Sequence, residues 1–515
     1  MIWEYLVEHS SVLTMMGIYL CICLGIGWYF KSKASSGVKA YYIAKREIPG
    51  WVVSLAFFST FASTNTYIGQ AGQAFEYGLS WAWVGLFWAI FCVISWQVLG
   101  PRMRNQTAQL GSVTIPDYFH FRYQSTLSRS IRVLSAFVIL FATMWYMVGI
   151  AKGLGHVLTS VIDLPYAWGA LGIIIITCAY TVWGGMYSVL WTDAVQGIMM
   201  FGVAIIMVML PFIYVGGVDE LMTRISTTTH ATSSGEPMGN GLVSFGKLVS
   251  FFYILGIGLA VGMKQIAEPR CLIRFYSIDN AKSMKFAMTW TPIFLGISLI
   301  CVMGLGALVH GMATEAEAAY LINNTDEVVG FMLAKFDNPW ISGICVAGLF
   351  AAGMSSLASV MLIVGTAFTR DIWHALKPIK DGKIVPRTKW AIIVYCVGVY
   401  IFTLYPPAGI VEMTAFSGAV FAASFFPAIF GGLYLRWGTD VGALISMLTG
   451  MIASVVWRFG LRFRIEGLQD IHEVIPAFVL SLIVYLAVSW ATRNRRPDEE
   501  HLATLFDDKK LVSVT

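Results

Sequence analysis

Residues 59–72 read Ser59-Thr60-Phe61-Ala62-Ser63-Thr64-Asn65-Thr66-Tyr67-Ile68-Gly69-Gln70-Ala71-Gly72, and they lie inside an apolar segment that runs from about residue 51 to 74. Hydroxyl and amide side chains crowd this stretch, whereas a helix that crosses a bilayer is predominantly apolar. An interrupted helix frees carbonyl and N–H groups at its broken ends. A polar stretch at membrane depth therefore predicts a binding site for a cation or a polar solute.

Length and composition place this stretch in a membrane protein. Of the 515 residues, 57% are hydrophobic and only 12% are charged, which is too little charge to cover a soluble protein of this size. Apolar runs recur that are long enough for a helix to cross about 30 Å of hydrocarbon. Because backbone polar groups must be paired inside lipid, such runs predict helices. We expect an all-α polytopic protein, multi-pass in the lipid bilayer of a cell inner or plasma membrane.

Thirteen segments have the length and composition of membrane spans. They cover approximately residues 12–30, 51–74, 81–99, 133–159, 165–183, 193–215, 243–263, 286–311, 340–366, 389–405, 411–435, 440–459 and 473–491. Basic residues gather in alternate loops, and this bias predicts an outer N-terminus and an inner C-terminus. The predicted inner loops include one with Lys264, Arg270 and Arg274, and another with Arg122 and Arg132.

Other protein classes find little support in the sequence. The net charge of +5 comes without a dense Lys/Arg block, so we expect no nucleic-acid partner. The eight cysteines show no CxxC or zinc spacing and are interpreted as packing residues. No HExxH or G-x-S-x-G motif supports a membrane enzyme. The tail of about 25 residues after Trp490 is too short for a signalling domain, and no obligatory protein partner is evident.

A glycine-rich stretch, residues 256–262, lies five segments after the first polar stretch. Interrupted helices at matching places in two halves predict inverted repeats, although glycines also let helices pack closely, so both interpretations stay open. The predicted organisation is an extra N-terminal helix and basic loop, a first five-helix repeat, an irregular outer loop, an inverted second repeat, two C-terminal helices and a cytoplasmic tail. These parts cover residues 1–50, 51–215, 216–242, 243–435, 436–491 and 492–515, respectively.

The ninth segment carries a serine face. Ala352, Ser355, Ser356 and Ser359 are spaced at i, i+3, i+4 and i+7, so they share one side of a helix. Hydroxyl and carbonyl oxygens suit a hard cation such as Na⁺. Serines that bond back to their own helix in a close-packed interface produce the same spacing. Spacing alone therefore leaves sodium binding and packing open.

Two ionisable residues in the first half also need an interpretation. Asp193 begins the sixth segment, where it can face cytosolic water or favour the helix N-terminus. A protonated Asp193 would instead act as a proton carrier. Lys152 is the basic residue that we place deepest in a span, and its side chain can either reach the interface or contact a solute.

These residues resemble the sodium:solute symporter family, which includes the bacterial proline, pantothenate, galactose and sialic-acid symporters. The resemblance covers about residues 40–440. Its strongest motifs are Tyr180-Thr181-Val182-Trp183-Gly184-Gly185, Trp191-Thr192-Asp193-Ala194-Val195-Gln196, Ala351-Ala352-Gly353-Met354-Ser355-Ser356 and Thr366-Ala367-Phe368-Thr369-Arg370-Asp371-Ile372.

The resemblance implies the leucine-transporter fold of two inverted five-helix repeats, with one helix before them and two after. It implies Na⁺ as the coupling ion, with no organic cofactor. The implied sodium ligands are the carbonyls of Ser59, Ala62 and Ala352 and the hydroxyls of Ser355 and Ser356. Asp193 and Ser359 would lie along the ion path.

The resemblance also implies where a small solute binds. In family members the solute lies on the first broken helix, so the candidate contacts are Ser63, Asn65, Thr66 and Gln70. Members with a second sodium site carry a hydroxyl residue where this chain has Ala358, which implies one sodium per cycle. The implied function is sodium-coupled import of a sugar, amino acid or carboxylate. A proton-coupled transporter and a transporter-like membrane sensor are the alternatives.

Overall fold

The computed structural model describes residues 10–232, 235–336 and 338–506. Helices dominate this part of the chain. The β-pairing within it is confined to two isolated bridges, Ile48 with Ile278 and Ala231 with Pro237. The predicted all-helical class is therefore confirmed.

The helices are labelled in chain order. Those of the first half are α1 (Ser10–Ala34), α2 (Val38–Ile43), α3 (Gly50–Phe61), α4 (Ala71–Tyr77), α5 (Ala82–Ile94), α6 (Gly100–Gln109), α7 (Ile115–Arg122), α8 (Ser128–Ile162), α9 (Tyr166–Val215) and α10 (Val218–Ser226).

The second half begins with a helix in three short pieces. Its helices are α11 (Phe251–Gly262), α12 (Lys264–Ala267), α13 (Pro269–Ser277), α14 (Ala281–Val302), α15 (Leu305–Val309), α16 (Glu315–Asn323), α17 (Val328–Ala334), α18 (Pro339–Thr366), α19 (Asp381–Leu404), α20 (Ile410–Tyr434), α21 (Asp440–Val456), α22 (Val474–Ala491) and α23 (Glu499–Leu505).

Eleven helical runs among the described residues are long and apolar enough to cross a membrane, judged by length and composition. The predicted segments 165–183 and 193–215 fall within the single helix α9. The segment predicted at 243–263 is wrong at its start, because the chain becomes helical only at Phe251, after Gly246 adopts a φ of 74°. The count of thirteen spans and the orientation stay predictions.

Helix α9 has 50 residues and changes direction at Gly185. Gly185 has φ 51° and ψ −145°, which is outside helical geometry and favours glycine. A Cβ at this position would also lie 2.7 Å from the Tyr41 ring and 2.8 Å from the Tyr41 carbonyl. Glycine is therefore required here twice, once for the backbone angle and once for the close approach of the chain near Tyr41.

Burial separates an inner group of helices from an outer group. The most apolar window of the run Pro339–His374, which contains α18, is completely buried, and 89% of the window of α20 is buried. The corresponding share is only 28% in α19 and in α22. A helix that is apolar on all sides and enclosed by its neighbours belongs to the core, so α18 and α20 form the centre of the bundle.

The structure corrects two expectations about loops. The outer loop 216–242 is not wholly irregular, because α10 lies within it. Lys264, Arg270 and Arg274 do not lie on a loop, since they belong to α12 and α13 and each is at most 2% exposed.

Arg122 and Arg132 are buried as well. The physical reason is ion pairing and hydrogen bonding between helices that are far apart in sequence, which the counting of loop charges cannot detect. Arg132, for example, pairs with Asp371 at 2.9 Å.

We predict that Gly185→Ala destabilises the protein. The positive φ alone should cost about 1–3 kcal/mol, and the contact with Tyr41 adds to this cost. The measurement is the midpoint of thermal unfolding in detergent. Gly172→Ala is the matched control, because Gly172 lies in the same helix with no atom within 4 Å of an added Cβ. Equal midpoints for the two variants would contradict the role assigned to Gly185.

Candidate functional site

The predicted interruption of the first helix is present. Helix α3 ends at Phe61, and Ala62 leaves helical geometry with a ψ of 78°. The chain then turns, and the backbone N–H groups of Thr66 and Tyr67 donate to Ser63 O at 2.8 and 3.1 Å. A π-helical turn, Asn65–Gln70, leads into α4. Such π turns are frequent at functional sites.

The serine face of α18 packs against this break. Ser355 Oγ donates to Ser59 O at 2.8 Å and to Ala352 O at 3.1 Å. Two of the five oxygens implied as sodium ligands, Ser59 O and Ala352 O, therefore lie within hydrogen-bond distance of a third, Ser355 Oγ. Oxygens this close can surround a small cation once the hydroxyl hydrogen turns away from the carbonyls.

Ser356 and Ala62 are placed differently from Ser355. Ser356 Oγ donates to Thr60 O at 2.9 Å, so its contact on α3 is one residue further along than that of Ser355. Ala62 lies at the break itself, two residues beyond Thr60. The structure thus brings Ser356 to the end of α3 and adds Thr60 O to the group of oxygens there.

Asp193 is fully buried, which corrects the idea that it faces cytosolic water. It lies eight residues beyond the change of direction at Gly185, on the second leg of α9. Thr60 Oγ1 and Ser359 Oγ donate to Asp193 Oδ2 at 3.0 and 3.2 Å. Arg274 Nη2 donates to the same oxygen at 2.7 Å, which forms a buried ion pair.

The second interrupted helix breaks after residues 256–262 rather than within them. All of these residues belong to α11, and an added Cβ at Gly256, Gly258 or Gly262 would lie 2.5–2.7 Å from His472, Phe87 or Phe91. The packing interpretation of these glycines is therefore the correct one.

The interruptions lie at Met263, between α11 and α12, and at Glu268, between α12 and α13. Glu268 is extended, with φ −78° and ψ 128°, because a proline at the next position disfavours helical geometry.

Charged side chains that were predicted to lie on a loop reach the centre of the bundle at this second break. Glu268 Oε1 pairs with Arg270 Nε at 2.7 Å, and both residues are nearly inaccessible. Arg270 Nη1 donates to Thr60 O and lies 3.3 Å from Ser356 Oγ. Pro269 between two charged residues was the available sequence signal, because it marks an interruption at a place where the chain is otherwise helical.

The four candidate solute residues are enclosed in this conformation. Ser63, Asn65, Thr66 and Gln70 are each at most 2% exposed. Gln70 Nε2 donates to Asn65 Oδ1 at 3.4 Å, and Trp81 Nε1 donates to Gln70 Oε1 at 2.8 Å. The Thr66 hydroxyl has no hydrogen-bond partner among the described residues. Asn65 and Gln70 thus bind each other, while Thr66 keeps a free polar group.

Ion pairs lie toward both ends of this enclosed centre. At one end, Arg132 contacts Asp117 at 2.6 Å and Asp371 at 2.9 Å. At the other end, Lys152 Nζ contacts Asp326 at 2.7 Å. Lys152 is therefore engaged by a carboxylate of the chain itself.

Two interrupted helices meet buried polar groups at the centre of a helical bundle, and this arrangement defines a membrane transporter. A comparison with protein families identifies the transporter family. The model of the sodium:solute symporter family matches residues 41–450, and the chain belongs to this family. The predicted family is confirmed.

Curated relatives share nearly the full length of the chain. The osmoregulated proline transporter OpuE of Bacillus subtilis is 28% identical over 94% of this chain and 95% of its own length. A sodium/proline symporter of Staphylococcus aureus is 27% identical over 93% and 92%, respectively. The family and these relatives are transporters rather than enzymes.

Two solved structures show the same fold. One is a Na⁺-coupled sialic acid symporter in a substrate-bound outward-open state, with a TM-score of 0.73, 16% identity, and coverage of 94% of this chain and 97% of that one. The other is a nucleobase-cation-symport-1 family transporter in a closed conformation, with a TM-score of 0.52, 13% identity, and coverage of 90% and 97%. Both have the leucine-transporter fold.

We predict strong coupling between Asp193 and Arg274. Each single variant, Asp193→Asn or Arg274→Gln, leaves the other charge buried without its partner, which costs about 3–5 kcal/mol. The double variant removes both charges, so its loss of stability should be smaller than the sum of the two single losses. Thermal unfolding of the four proteins in detergent measures this difference. Additive losses would show that Asp193 and Arg274 are not energetically coupled.

Proposed function

We propose that this chain imports a small organic solute together with sodium by alternating access, with one sodium ion per cycle. The observation that carries the proposal is the contact of Ser355 Oγ with Ser59 O and Ala352 O at the break of the first helix. Membership of the sodium:solute symporter family supports sodium as the coupling ion.

The sodium site would consist of neutral oxygens. Its ligands are the carbonyls of Ser59, Ala62 and Ala352 with the hydroxyls of Ser355 and Ser356. Each hydroxyl now donates to a carbonyl, so it must rotate its hydrogen away before its oxygen can face a cation. Asp193 and Ser359 would provide the ion path; Ser359 Oγ donates to Asp193 and accepts from Arg274.

The positive charge of Arg270 opposes sodium binding while Arg270 contacts Ser356. Its guanidinium contacts Ser356 Oγ and Thr60 O, and a second cation next to it would be repelled. The pairing of Arg270 with Glu268 reduces this repulsion. In the proposed cycle, Arg270 withdraws from Ser356 when sodium enters, so that the position of α13 depends on the occupancy of the ion site.

The proposed topology has thirteen spans, an outer N-terminus and an inner C-terminus. In this orientation the contacts of Arg132 with Asp117 and Asp371 lie on the inner side, and the pair of Lys152 and Asp326 lies on the outer side. Alternating access requires one side to open at a time. The two groups of ion pairs are then the contacts that break in turn, and both are intact in this enclosed conformation.

The coupling is reciprocal. If sodium draws the broken first helix toward α18 and so raises affinity for the solute, the solute raises affinity for sodium by the same factor. A membrane potential of about 100 mV supplies roughly 2.3 kcal/mol per charge, and a tenfold sodium gradient adds about 1.4 kcal/mol. One sodium ion could therefore accumulate a neutral solute on the order of 500-fold.

The solute would contact Ser63, Asn65, Thr66 and Gln70. The mutual hydrogen bond of Asn65 and Gln70 would have to open for either side chain to contact a solute directly. Proline is the solute named for the relatives described above. The proposed class for this chain is broader and comprises sugars, amino acids and carboxylates.

We predict that Ser355→Ala and Ser356→Ala weaken sodium activation before they impair folding. Loss of one hydroxyl ligand should raise the sodium concentration for half-maximal uptake at least about tenfold, equivalent to about 1.4 kcal/mol. The measurement is solute uptake into proteoliposomes as a function of external sodium. Ser342→Ala is the control, because Ser342 lies on the same helix but donates to Leu333 O.

Unchanged sodium activation in both variants would defeat this assignment of the sodium site. Uptake that is driven by a pH gradient in sodium-free buffer, and that is lost in Asp193→Asn, would support proton coupling instead.

A further inference from the structure

Lys264 is a buried cation that takes no part in the proposed sodium site. Its side chain is 1% exposed, and its Nζ atom makes no hydrogen bond or ion pair with the described residues. A charge removed from water needs an opposite charge or hydrogen bonds in its place. Among buried lysines, an unpaired ammonium is therefore an unusual feature that points to a partner from outside the chain.

The position of Lys264 links it to the centre of the transporter. Lys264 Nζ lies 4.2 Å from the ring centroid of Tyr146, and the Arg270 guanidinium lies 4.1 Å from the same centroid. Arg270 in turn contacts Ser356 and Thr60, at the break of the first helix. The ring of Tyr146 is thus in contact both with the Lys264 ammonium and with the arginine that reaches the groups proposed to bind sodium.

The surrounding helices leave room for the lysine side chain where it passes α20. A Cβ added at Gly418 would lie 2.9 Å from Lys264 Cε and 2.3 Å from Ala260 O. Glycine at this position therefore permits the close approach of α20 to α11 and to the stem of Lys264. The lysine is thus enclosed between helices of the core rather than extended toward a lipid surface.

The charges at this centre do not balance. Glu268 pairs with Arg270 at 2.7 Å, and Asp193 pairs with Arg274 at 2.7 Å. Glu268 also interacts electrostatically with Lys264, but two carboxylates face three cations here, so one positive charge remains without a counter-charge. Tyr146, which contacts Lys264, also has a buried hydroxyl that faces Ser63 and Ser356 and makes no close hydrogen bond among the described residues. An ammonium and a hydroxyl that lack partners are two donors suited to a carboxylate.

We infer that the transported solute is a carboxylate with a net negative charge, bound by Lys264 Nζ with the Tyr146 hydroxyl as a second donor. This inference rests on the proposed transport function and narrows its solute class. A zwitterion would bring an ammonium group that needs an acceptor of its own, but Glu268 and Asp193 are already paired with arginines. A neutral sugar would leave the charge of Lys264 unbalanced.

Binding and uptake can be measured separately. Thermal unfolding of the purified protein is followed with propionate, lactate, L-proline and D-galactose, first in sodium-free sulfate buffer and then with sodium or chloride added. Uptake of the same compounds is followed in proteoliposomes under a sodium gradient. The variants are Lys264→Gln, which removes the charge, and Lys264→Arg, which keeps it. Lys335→Gln is the control, because Lys335 pairs with Glu317 on a more exposed surface.

We expect the monocarboxylates to raise the unfolding midpoint and to be accumulated. Loss of the charged partner in Lys264→Gln should raise the half-saturating carboxylate concentration at least about 30-fold. Lys264→Arg should retain part of the binding, and Lys335→Gln should be unchanged. Without solute, Lys264→Gln should unfold at the same or a higher temperature than the natural sequence, so that lost binding is not mistaken for lost folding.

The inference is overturned if L-proline or D-galactose binds and accumulates better than the carboxylates and Lys264→Gln leaves that uptake unchanged. It is also overturned if chloride alone produces the shift that depends on Lys264 and carboxylates add nothing. Carboxylate binding that depends on Lys264 would uphold the inference. If the uptake of that carboxylate does not depend on sodium, the proposed sodium coupling is refuted while the inference stands.

Discussion

The carbonyl groups at the end of α3 are the acceptors on which the centre of this protein is built. The last carbonyls of a helix have no partner within that helix, and they must find donors elsewhere when they are buried. In this structure Ser59 O accepts from Ser355, and Thr60 O accepts from Ser356 and Arg270. The break after Phe61 therefore creates the acceptors, and the donors come from α18 and from the second interrupted helix.

Thr60 connects these acceptors to the charges behind them. Its carbonyl meets Ser356 and Arg270, while its hydroxyl donates to Asp193, which is held by Arg274. One residue of the first interrupted helix thus contacts α18, α9 and α13. In a low-dielectric interior such a network is stable only when its members are satisfied together. Movement of any one helix must therefore disturb the others, which is the property that a coupled transporter needs.

Several features of this centre could be predicted from the sequence because they depend on neighbouring residues. The polar stretch 59–72 indicated a broken helix, and the spacing of Ser355, Ser356 and Ser359 indicated one helix face. Both expectations agree with the structure, and the family resemblance is confirmed by the match over residues 41–450. The ligand roles of these residues stay predictions, since contact between oxygens does not by itself identify a bound ion.

Other features could not be predicted, because they depend on which helices become neighbours. Lys264, Arg270 and Arg274 looked like the charges of an inner loop, yet each is buried next to groups from distant helices. For the glycines 256–262 the sequence left a break and close packing open; they pack against side chains, and the interruptions lie beyond them, at Met263 and Glu268. By itself, the sequence determined the helical class, the membrane setting and the first interruption, since local polarity and periodicity carry that information, while the resemblance of its motifs indicated the family. Only the tertiary structure decided which charges are paired and which one is left free, because electrostatic balance is a property of side chains that the fold brings within a few ångströms of one another.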